Sequence, residues 1–332
     1  MIERPSGLGP GPQDLGALVE DFFASTFATD NPLITEAVRR MLAAGGKRLR
    51  PRLTLLAAEA GGADPREHLP LAAYMELIHV GTLIHDDVVD RAETRRGVNA
   101  TAVDFGNRVS VLAGDYLFAW IFKNVTANYA APIPHILSAT LADITDGEVL
   151  QLRALGNLEL PVSGYVEIVV KKTAALFAAS AECGAIASGA PALRVKALRD
   201  FGLYFGIAFQ MLDDLLDVTA SEAELGKPVG NDLREHKMTI PLILALEGAG
   251  RDFREHLARY YEGEPEAAED GALERLIEGV ARAGGPAKTR DAIAGYVERA
   301  KQSLAPLGTA SARAELAKLA EGLVRDSAAR AR

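Results

Sequence analysis

Helical periodicity is the feature of this sequence that most constrains its fold. Apolar residues recur at helical spacing over long segments, and the alternating patterns with hairpin signals that indicate strands are almost absent. Glycines and prolines separate these segments and set their limits. We predict helices at about 64–90, 107–128, 133–155, 164–189, 194–218 and 238–249, and an alanine-rich helical tail after 252. The sequence therefore predicts an all-α fold.

The periodic part of the chain opens with a clear helix start and stop. Asp30-Asn31-Pro32 supplies a capping side chain and a proline for a first helical turn, and Gly45-Gly46 supplies the stop. A length of 332 residues allows two domains, but no linker rich in proline, serine or charge divides the sequence, and no fixed-period repeat is present. We predict a flexible tail over residues 1–14 and a single domain over residues 15–332.

Composition excludes several classes of protein. The chain carries 36 Lys and Arg against 45 Asp and Glu, a formal net charge of −9, which argues against sequence-independent binding of nucleic acid. With 48% hydrophobic residues the chain can form a sizeable core, so an intrinsically disordered chain is excluded. The single cysteine, Cys183, cannot form an internal disulfide, and we expect a cytoplasmic protein.

No segment of the sequence predicts a membrane span or a secretion signal. The N-terminal residues lack an apolar run of signal-peptide length. The most apolar long stretch, 174–190, is interrupted by Glu182 and consists largely of alanine, serine and glycine, so it is too weakly hydrophobic for a convincing span. We interpret this stretch as a tightly packed buried helix.

Three aspartates lie at the C-terminal end of the helix predicted at 64–90. Asp86 and Asp90 are four residues apart, which places their carboxylates on one helix face, where like charges repel. A solvated acidic face would tolerate this arrangement. However, residues 71–84 carry only one formal charge, Glu76, and are apolar nearly all round, as a buried helix is. The group formed by Asp86, Asp87 and Asp90 therefore needs a cation beside it.

The same Asp-Asp-x-x-Asp pattern recurs as Asp213, Asp214 and Asp217, directly after residues 201–212, which contain no charged residue. Carboxylates without histidine or cysteine suit hard ions with oxygen ligands, and Mg²⁺ commonly combines one or two carboxylates with water and substrate phosphate. Two such motifs, each at the C-terminal end of an apolar helix, predict a Mg²⁺ clamp for a diphosphate.

Basic residues accompany both aspartate motifs. Each of them alone could serve the carbonyl end of a helix. Together, in a chain of net charge −9, they indicate an anionic substrate, and arginine with lysine is the usual phosphate-binding combination. These residues are Lys47, Arg48, Arg50, Arg95, Arg96, Lys171, Lys172, Lys227 and Lys237.

Through these motifs the sequence resembles the trans-prenyl diphosphate synthases, which condense isopentenyl diphosphate with allylic diphosphates. The resemblance covers about residues 40–245 and rests on GGKRLRP, LIHDDVVD, RRG, KKTAALF, FQMLDDLLD and GKPVGNDLREHK, in that order. It implies one domain of mostly antiparallel helices around a deep central cavity, usually in a homodimer. The hydrophobic product implies transient contact with a membrane surface.

The resemblance also implies roles for individual residues. The Mg²⁺ ligands would be Asp86, Asp90 and Asp213, and the residues that support them Asp87, Asp214 and Asp217. The residues that hold isopentenyl diphosphate would be Lys47, Arg50, His79 and Arg96. The contacts to the allylic diphosphate would be Arg95, Lys172, Lys227 and Lys237, and the residues lining the reacting carbon Thr173 and Gln210.

The family mechanism implies electrostatic catalysis. The diphosphate leaves the allylic substrate, the double bond of isopentenyl diphosphate attacks the resulting carbocation, and loss of a proton extends the chain by one isoprene unit. We assign no protein general base, because the released diphosphate is the expected base.

Two small residues bear on product length. Gly81 and Thr82, five and four positions before Asp86, would form the floor for the growing chain. Neither is bulky, and in this the sequence resembles the long-chain bacterial enzymes, so we expect a hexaprenyl to decaprenyl product. One alternative is that Gly81 only allows close helix packing. Another is a short product, namely geranyl, farnesyl or geranylgeranyl diphosphate.

Three other functions fit part of the pattern. A class I terpene cyclase also uses Asp-Asp-x-x-Asp, but its second site would be an Asn/Asp-Ser-Glu triad rather than the aspartates at 213–217. An HD-type phosphohydrolase would need well-spaced His and Asp ligands in addition to His85-Asp86, and the other histidines are scattered. A non-catalytic subunit of a heteromeric synthase usually loses aspartates from a motif, and both motifs are complete here.

Overall fold

The computed structural model describes residues 18–23, 26–27, 29–95, 97–220, 229–263, 271–308 and 311–329. The chain divides into two units. The first is Met1–Pro134 with Cys183–Ala190, and the second is His135–Glu182 with Pro191–Arg332. The predicted tail at residues 1–14 lies outside the described residues, and the single domain stays a prediction.

Helices make up nearly all of the described secondary structure. In chain order they are α1 (Pro32–Ala43), α2 (Leu49–Gly61), α3 (Leu69–Val89), α4 (Thr101–Asn128), α5 (Ile133–Arg153), α6 (Val162–Val169), α7 (Ala175–Ala187), α8 (Ala192–Thr219), α9 (Asn231–Arg234), α10 (Ile240–Gly248), α11 (Arg251–Glu262), α12 (Ala272–Arg282), α13 (Gly285–Ser303) and α14 (Ser311–Ala329). Shorter helical pieces are two 3₁₀ turns, Pro65–His68 and Ala305–Leu307, and a π-helical turn, Val170–Ala174. The β-structure of the described residues is one antiparallel pair, β1 (Thr94–Arg95) and β2 (Val98–Asn99). The predicted all-α fold is confirmed.

The first helix begins and ends where the sequence predicts. Asn31 Oδ1 accepts hydrogen bonds from Leu33 N at 3.0 Å and from Ile34 N at 3.5 Å, and Pro32 occupies the first helical position. Gly45, just beyond the end of α1, has a φ of +76°, which favours glycine. The chain can therefore turn sharply after α1 into the basic segment that precedes α2.

The long helix before the first aspartate motif starts later than predicted. Asp64 Oδ1 accepts a hydrogen bond from Arg66 N at 3.0 Å and caps the 3₁₀ turn, so α3 begins only at Leu69. In the first unit α3 packs against α1, α2 and α4, and side chains such as Met75 and Ile78 are fully buried. The prediction that this helix is buried is confirmed.

Glu76, the one formal charge in the apolar part of α3, is neutralised by Arg48. Arg48 Nη1 donates to Glu76 Oε1 at 2.9 Å, Nη2 donates to Leu42 O at 2.8 Å, and Nε donates to Glu20 Oε1 at 2.5 Å. Only 8% of the Arg48 side chain and 3% of the Glu76 side chain are exposed. The pair fixes the start of α2 against α3 at the turn before His79.

In the second unit, α8 packs against α10, α13, α14 and the π-helical turn. Gly202 and Gly206, one turn apart, allow a close approach. A Cβ on Gly202 would lie 2.4 Å from Phe177 O, and a Cβ on Gly206 would lie 2.7 Å from Ala174 Cα. Glycine at both positions therefore brings the next turn of α8, which carries Gln210, towards the π-helical turn.

The apolar stretch at 174–190 forms α7, in agreement with the prediction of a packed helix. Ala181 and Cys183 are fully buried, and Glu182 Oε2 lies 3.5 Å from Arg199 Nε. Burial raises the pKa of Glu182, and Arg199 opposes that rise. None of the helices formed by the described residues combines the length and apolar character needed to cross a bilayer.

Replacing Arg48 with Met should lower the free energy of unfolding by about 3–5 kcal/mol, because Glu76 is then a buried charge without its partner. The double variant Arg48→Met/Glu76→Met should recover most of that loss, since it removes both charges. Urea unfolding followed by circular dichroism measures both values. As a control, Lys196→Met breaks the exposed ion pair with Asp200 and should cost less than about 1 kcal/mol. Equal losses in the two single variants would contradict this prediction.

Candidate active site

The first aspartate motif divides its carboxylates between the surface and the interior. Asp86 and Asp90 are half-buried at the end of α3, whereas Asp87 is fully buried. The backbone N–H of Asp90 donates to Asp86 O at 2.8 Å in the last turn. One helical turn separates Asp86 from Asp90, so both side chains lie on one face, as the sequence predicts.

Asp87 is held by Arg95. Arg95 Nε and Nη2 both approach Asp87 Oδ1, at 2.7 and 2.6 Å, from β1. Burial raises the pKa of Asp87, Arg95 opposes the rise, and the charge of Asp90 adds to it. The resemblance assigns Arg95 to the allylic diphosphate, and that role stays a prediction; in the structure its guanidinium contacts Asp87. Arg96 lies outside the described residues.

The basic segment before α2 is divided in a similar way. Lys47 is exposed and Arg50 is half-buried, while Arg48 between them turns into the interior to meet Glu76. His79 is half-buried and follows Glu76 by three residues, so it lies on the next turn of α3. The first unit therefore contains three of the residues predicted to bind isopentenyl diphosphate, two of them beside Arg48 at the start of α2 and one on α3, a turn after the partner of Arg48. The sequence predicted no separate role for Arg48, although a glutamate within an apolar helix indicates that such a partner is needed.

The two residues predicted to control product length lie in a tightly packed part of α3. A Cβ on Gly81 would lie 2.6 Å from Phe118 Cε1, so the Phe118 ring on α4 occupies the space beside this glycine. Thr82 Oγ1 donates to His79 O at 2.8 Å. Gly81 therefore allows α3 and α4 to pack closely, as the alternative interpretation holds. Its role in product length stays a prediction.

The second aspartate motif, on α8, also has one outer carboxylate and buried ones. Asp213 is exposed, whereas Asp214 and Asp217 are 4% and 1% exposed. Asp217 Oδ2 accepts a hydrogen bond from Asp232 N at 3.0 Å, and Asp217 O accepts one from Gly230 N at 2.8 Å. Asp217 therefore holds the start of α9 against the end of α8.

Asp214 joins a network of uncharged side chains. Tyr165 OH donates to Asp214 Oδ2 at 2.6 Å, and Gln210 Nε2 donates to Asp214 Oδ1 at 2.8 Å. Gln210 Oε1 in turn accepts a hydrogen bond from Thr173 Oγ1 at 2.8 Å. Burial raises the pKa of Asp214 to about 6, although the bonds from Tyr165 and Gln210 favour the ionised form. The structure thus brings together three predicted site residues, Thr173, Gln210 and Asp214.

Lys172 and Thr173 lie in the π-helical turn Val170–Ala174, between α6 and α7. Such turns are rare and frequently occur at functional sites. A Cβ on Gly147 of α5 would lie 2.5 Å from Lys172 N, so glycine allows α5 to pack directly against this turn. The unusual turn is therefore fixed by close backbone packing from α5 and from α8.

The predicted diphosphate-binding lysines of the second unit have acidic partners. Lys172 Nζ pairs with Glu148 and donates to Gln151 Oε1. Lys237 Nζ pairs with Glu235. These partners hold the lysines in defined positions, and they were not predicted from the sequence. Lys227 lies outside the described residues.

Comparison with known proteins identifies the family. The polyprenyl synthetase family model matches residues 31–279. This chain belongs to the polyprenyl synthetase family. An octaprenyl diphosphate synthase from Escherichia coli (strain K12) is 40% identical over 218 residues, 66% of this chain and 68% of that protein. A short chain isoprenyl diphosphate synthase from Methanothermobacter thermautotrophicus is 37% identical over 292 residues, 87% of this chain and 89% of that protein.

Solved structures agree with this membership. A decaprenyl diphosphate synthase from Rhodobacter capsulatus is 40% identical and superposes with a TM-score of 0.88 over 96% of this polyprenyl synthetase and 97% of that chain. A polyprenyl synthase from Caulobacter crescentus CB15, crystallised with calcium and isoprenyl diphosphate, is 38% identical with a TM-score of 0.86, covering 94% of this chain and 93% of that chain. The family suggested by the sequence motifs is confirmed.

A fourth carboxylate, Asp232, lies beside the three aspartates of the second motif. Its removal from water and the charges of Asp217 and Asp214 raise its pKa well above the usual range, and Lys237 opposes the rise. Asp232 lies in the segment GKPVGNDLREHK, but the sequence alone predicted no separate role for it. Its position directly after a glycine turn and just before the basic residues was the available signal. Nothing in the local sequence marks Tyr165.

The outer donors of the two motifs fit Mg²⁺. These donors are the half-buried Asp86 and Asp90 in the first unit and the exposed Asp213 in the second unit. All three offer carboxylate oxygens, the ligand type that suits Mg²⁺. Among the described residues, no three His, Cys, Asp or Glu side chains are gathered into a ready metal cage. Mg²⁺ commonly takes only one or two carboxylates and completes its shell with water and substrate phosphate.

The raised pKa of Asp214, from 3.8 to about 6, should make the stability of the metal-free protein depend on pH. Between about pH 4 and pH 6 the folded state binds a proton that the unfolded state releases. The contribution of Asp214, at most about 3 kcal/mol, is therefore present below pH 4 and lost as the pH rises through 6. The variant Asp214→Asn should lack this loss.

Urea unfolding with EDTA from pH 4 to pH 7 measures the difference between the two proteins. The control Asp252→Asn changes an exposed aspartate on α11 and should follow the wild-type curve. Parallel curves for wild type and Asp214→Asn would contradict the assignment.

Proposed function

We propose that this polyprenyl synthetase is a Mg²⁺-dependent trans-prenyltransferase. It condenses isopentenyl diphosphate with an allylic diphosphate, such as farnesyl or geranyl diphosphate, in successive head-to-tail steps. The product is a long-chain polyprenyl diphosphate, hexaprenyl to decaprenyl, and the octaprenyl and decaprenyl synthases among its relatives support that length. A short-chain product is the alternative, and the short-chain relative from Methanothermobacter thermautotrophicus supports it.

The observation that carries the proposal is a common arrangement of the two aspartate motifs. In each motif the second aspartate is buried and bound by the protein itself, Asp87 by Arg95 and Asp214 by Tyr165. The first aspartate of each motif remains at or near the surface. Buried charges are expensive unless they are hydrogen-bonded, so the second aspartates build the site and the first ones are left to face ligands.

The reaction breaks one bond and forms another without a protein nucleophile. The allylic C–O bond breaks, and its electron pair leaves with the diphosphate. The double bond of isopentenyl diphosphate attacks the cationic carbon to form a C–C bond, and the released diphosphate accepts the proton that is lost. In this chain Thr173 and Gln210 present oxygen atoms to the cationic carbon, while Lys172 and Lys237 hold the leaving diphosphate.

The residues that would hold Mg²⁺ are Asp86 and Asp90 in the first unit and Asp213 in the second. When bound, Mg²⁺ would neutralise negative charge on the diphosphate oxygens. Lys47, Arg50 and His79 hold the diphosphate of isopentenyl diphosphate by charge and hydrogen bonding. The arginine fork suits a phosphate better than a lysine point charge does.

The protein works as a homodimer in the cytoplasm. The support for the dimer is the set of exposed apolar side chains on α4, in which Val103, Val111 and Leu112 are 53%, 40% and 60% exposed. The single cysteine, Cys183, is buried, and a chain that cannot form an internal disulfide suits a reducing compartment. The apolar product leaves through transient contact with a membrane surface. A non-catalytic role is disfavoured, because neither aspartate motif lacks a residue.

Replacing Asp86 or Asp213 with Asn should lower the rate of elongation by more than about a hundredfold, because each substitution removes a carboxylate that would hold Mg²⁺, and the ion would neutralise charge on the leaving diphosphate. The assay incubates the purified protein with isopentenyl diphosphate, farnesyl diphosphate and Mg²⁺ and sizes the products. Asp252→Asn is the matched control on an exposed helix face and should retain full activity. Absence of elongation by the wild-type protein, or elongation unaffected by both variants, would refute the proposed function.

Product length tests the role of Gly81. Gly81→Tyr should shorten the product, and it should also lower stability by about 1–3 kcal/mol because the new ring meets Phe118. In the double variant Gly81→Tyr/Phe118→Ala stability should recover while the product stays short. Chromatographic sizing and urea unfolding separate the two effects. A destabilised variant with unchanged product length would leave Gly81 with a packing role alone.

A further inference from the structure

Both oxygens of Asp214 are occupied by side chains from two different helices. Tyr165 OH, on α6, donates to Oδ2 at 2.6 Å, and Gln210 Nε2, on α8, donates to Oδ1 at 2.8 Å. The backbone N–H of Ile240 also points at Oδ2, at 3.5 Å. With 4% of its surface exposed, Asp214 serves an internal network.

The direction of each hydrogen bond in this network follows from Asp214. An ionised carboxylate can only accept hydrogen bonds, so Gln210 must turn its amide nitrogen towards Asp214. The carbonyl oxygen of Gln210 then points the other way, where it accepts from Thr173 Oγ1 at 2.8 Å. The same carboxylate that accepts from Tyr165 therefore decides which end of the Gln210 amide faces Thr173.

This orientation matters for the chemistry. In the proposed function Thr173 and Gln210 lie beside the reacting carbon, which becomes positively charged as the allylic C–O bond breaks. A carbonyl or hydroxyl oxygen facing that carbon stabilises the developing charge, whereas an amide NH₂ group would oppose it. The rate of ionisation therefore depends on which way the Gln210 amide points.

We propose that Tyr165 is a positioning residue for this reaction. By donating to Asp214, its hydroxyl holds the carboxylate that keeps the carbonyl oxygen of Gln210 turned towards Thr173 and the reacting carbon. This inference rests on the proposed function. It is supported by the chain path, because α6 runs directly from Tyr165 into the π-helical turn that carries Thr173. One hydroxyl thus connects the helix before Thr173 with the helix that carries Gln210.

The variant Tyr165→Phe removes the hydroxyl and keeps the ring. The single-turnover rate of the first condensation, with farnesyl and isopentenyl diphosphates and Mg²⁺, should fall about tenfold. The KM for both substrates should change less than about twofold, because the diphosphate-binding groups are unchanged. The matched control is Tyr261→Phe, since the buried Tyr261 hydroxyl has no hydrogen-bond partner among the described residues. It should retain the wild-type rate.

A double-mutant cycle separates positioning from general structural support. If Tyr165 acts through Gln210, adding Tyr165→Phe to a Gln210→Ala variant should cause no further loss of rate. The same fractional loss in both backgrounds would overturn the proposal, and so would a wild-type rate for Tyr165→Phe.

Should Tyr165→Phe fail to fold by circular dichroism, Asp214→Asn provides the test. The new amide can donate to the Gln210 carbonyl and reverse the Gln210 amide, so the rate should fall by more than about tenfold with KM nearly unchanged. Retention of the rate in Asp214→Asn overturns the inference. Elongation by the wild-type protein with no loss in the variants contradicts only this inference, whereas no elongation by the wild-type protein contradicts the proposed function itself.

Discussion

Buried acidic side chains need ionic or hydrogen-bonding partners. Most of the residues that provide these partners come from other elements of the chain and hold those elements together. An unpaired carboxylate in the interior costs several kcal/mol, so its partner must arrive with good geometry. Arg48 reaches Glu76 from the start of α2, and Arg95 reaches Asp87 from β1. Each partner comes from another element of the chain. The buried charges therefore fix how those elements meet, in addition to the apolar packing around them.

The need to bury and pair the second aspartate of each motif also explains why the first aspartate is more exposed. Consecutive aspartates on a helix point in directions about 100° apart, so an inward-facing second residue leaves the first at the helix edge. Asp87 and Asp214 are buried, and Asp86 and Asp213 are more exposed than they are. The partners of the inner carboxylates hold the helix ends still, which keeps the outer ones in place. Structural support and ligand binding are thus divided between neighbouring residues.

Structural features that depend on local sequence pattern could be predicted from the sequence, whereas features that depend on tertiary contacts could not. Helix limits follow from caps, glycines and apolar periodicity, which are local, and the start of α1 at Pro32 agrees with the prediction. The Asp-Asp-x-x-Asp motifs also stand out locally. The π-helical turn does not, because it depends on the close approach of Gly147 and Gly206 from other helices. The pairing of Arg95 with Asp87 and the bond from Tyr165 to Asp214 depend likewise on how distant segments pack.

The buried aspartates of the two motifs, Asp87 and Asp214, are stabilised by different kinds of partner, one cationic and the other neutral. Arg95 is a cation, so it cancels the charge of Asp87 within the first unit. The donors to Asp214 are neutral hydroxyl and amide groups, so they stabilise the carboxylate without cancelling its charge. In the same unit, burial and the charges of Asp217 and Asp214 raise the pKa of Asp232. A neutral set of donors therefore preserves a negative potential around Gln210, and such a potential favours a cation developing nearby.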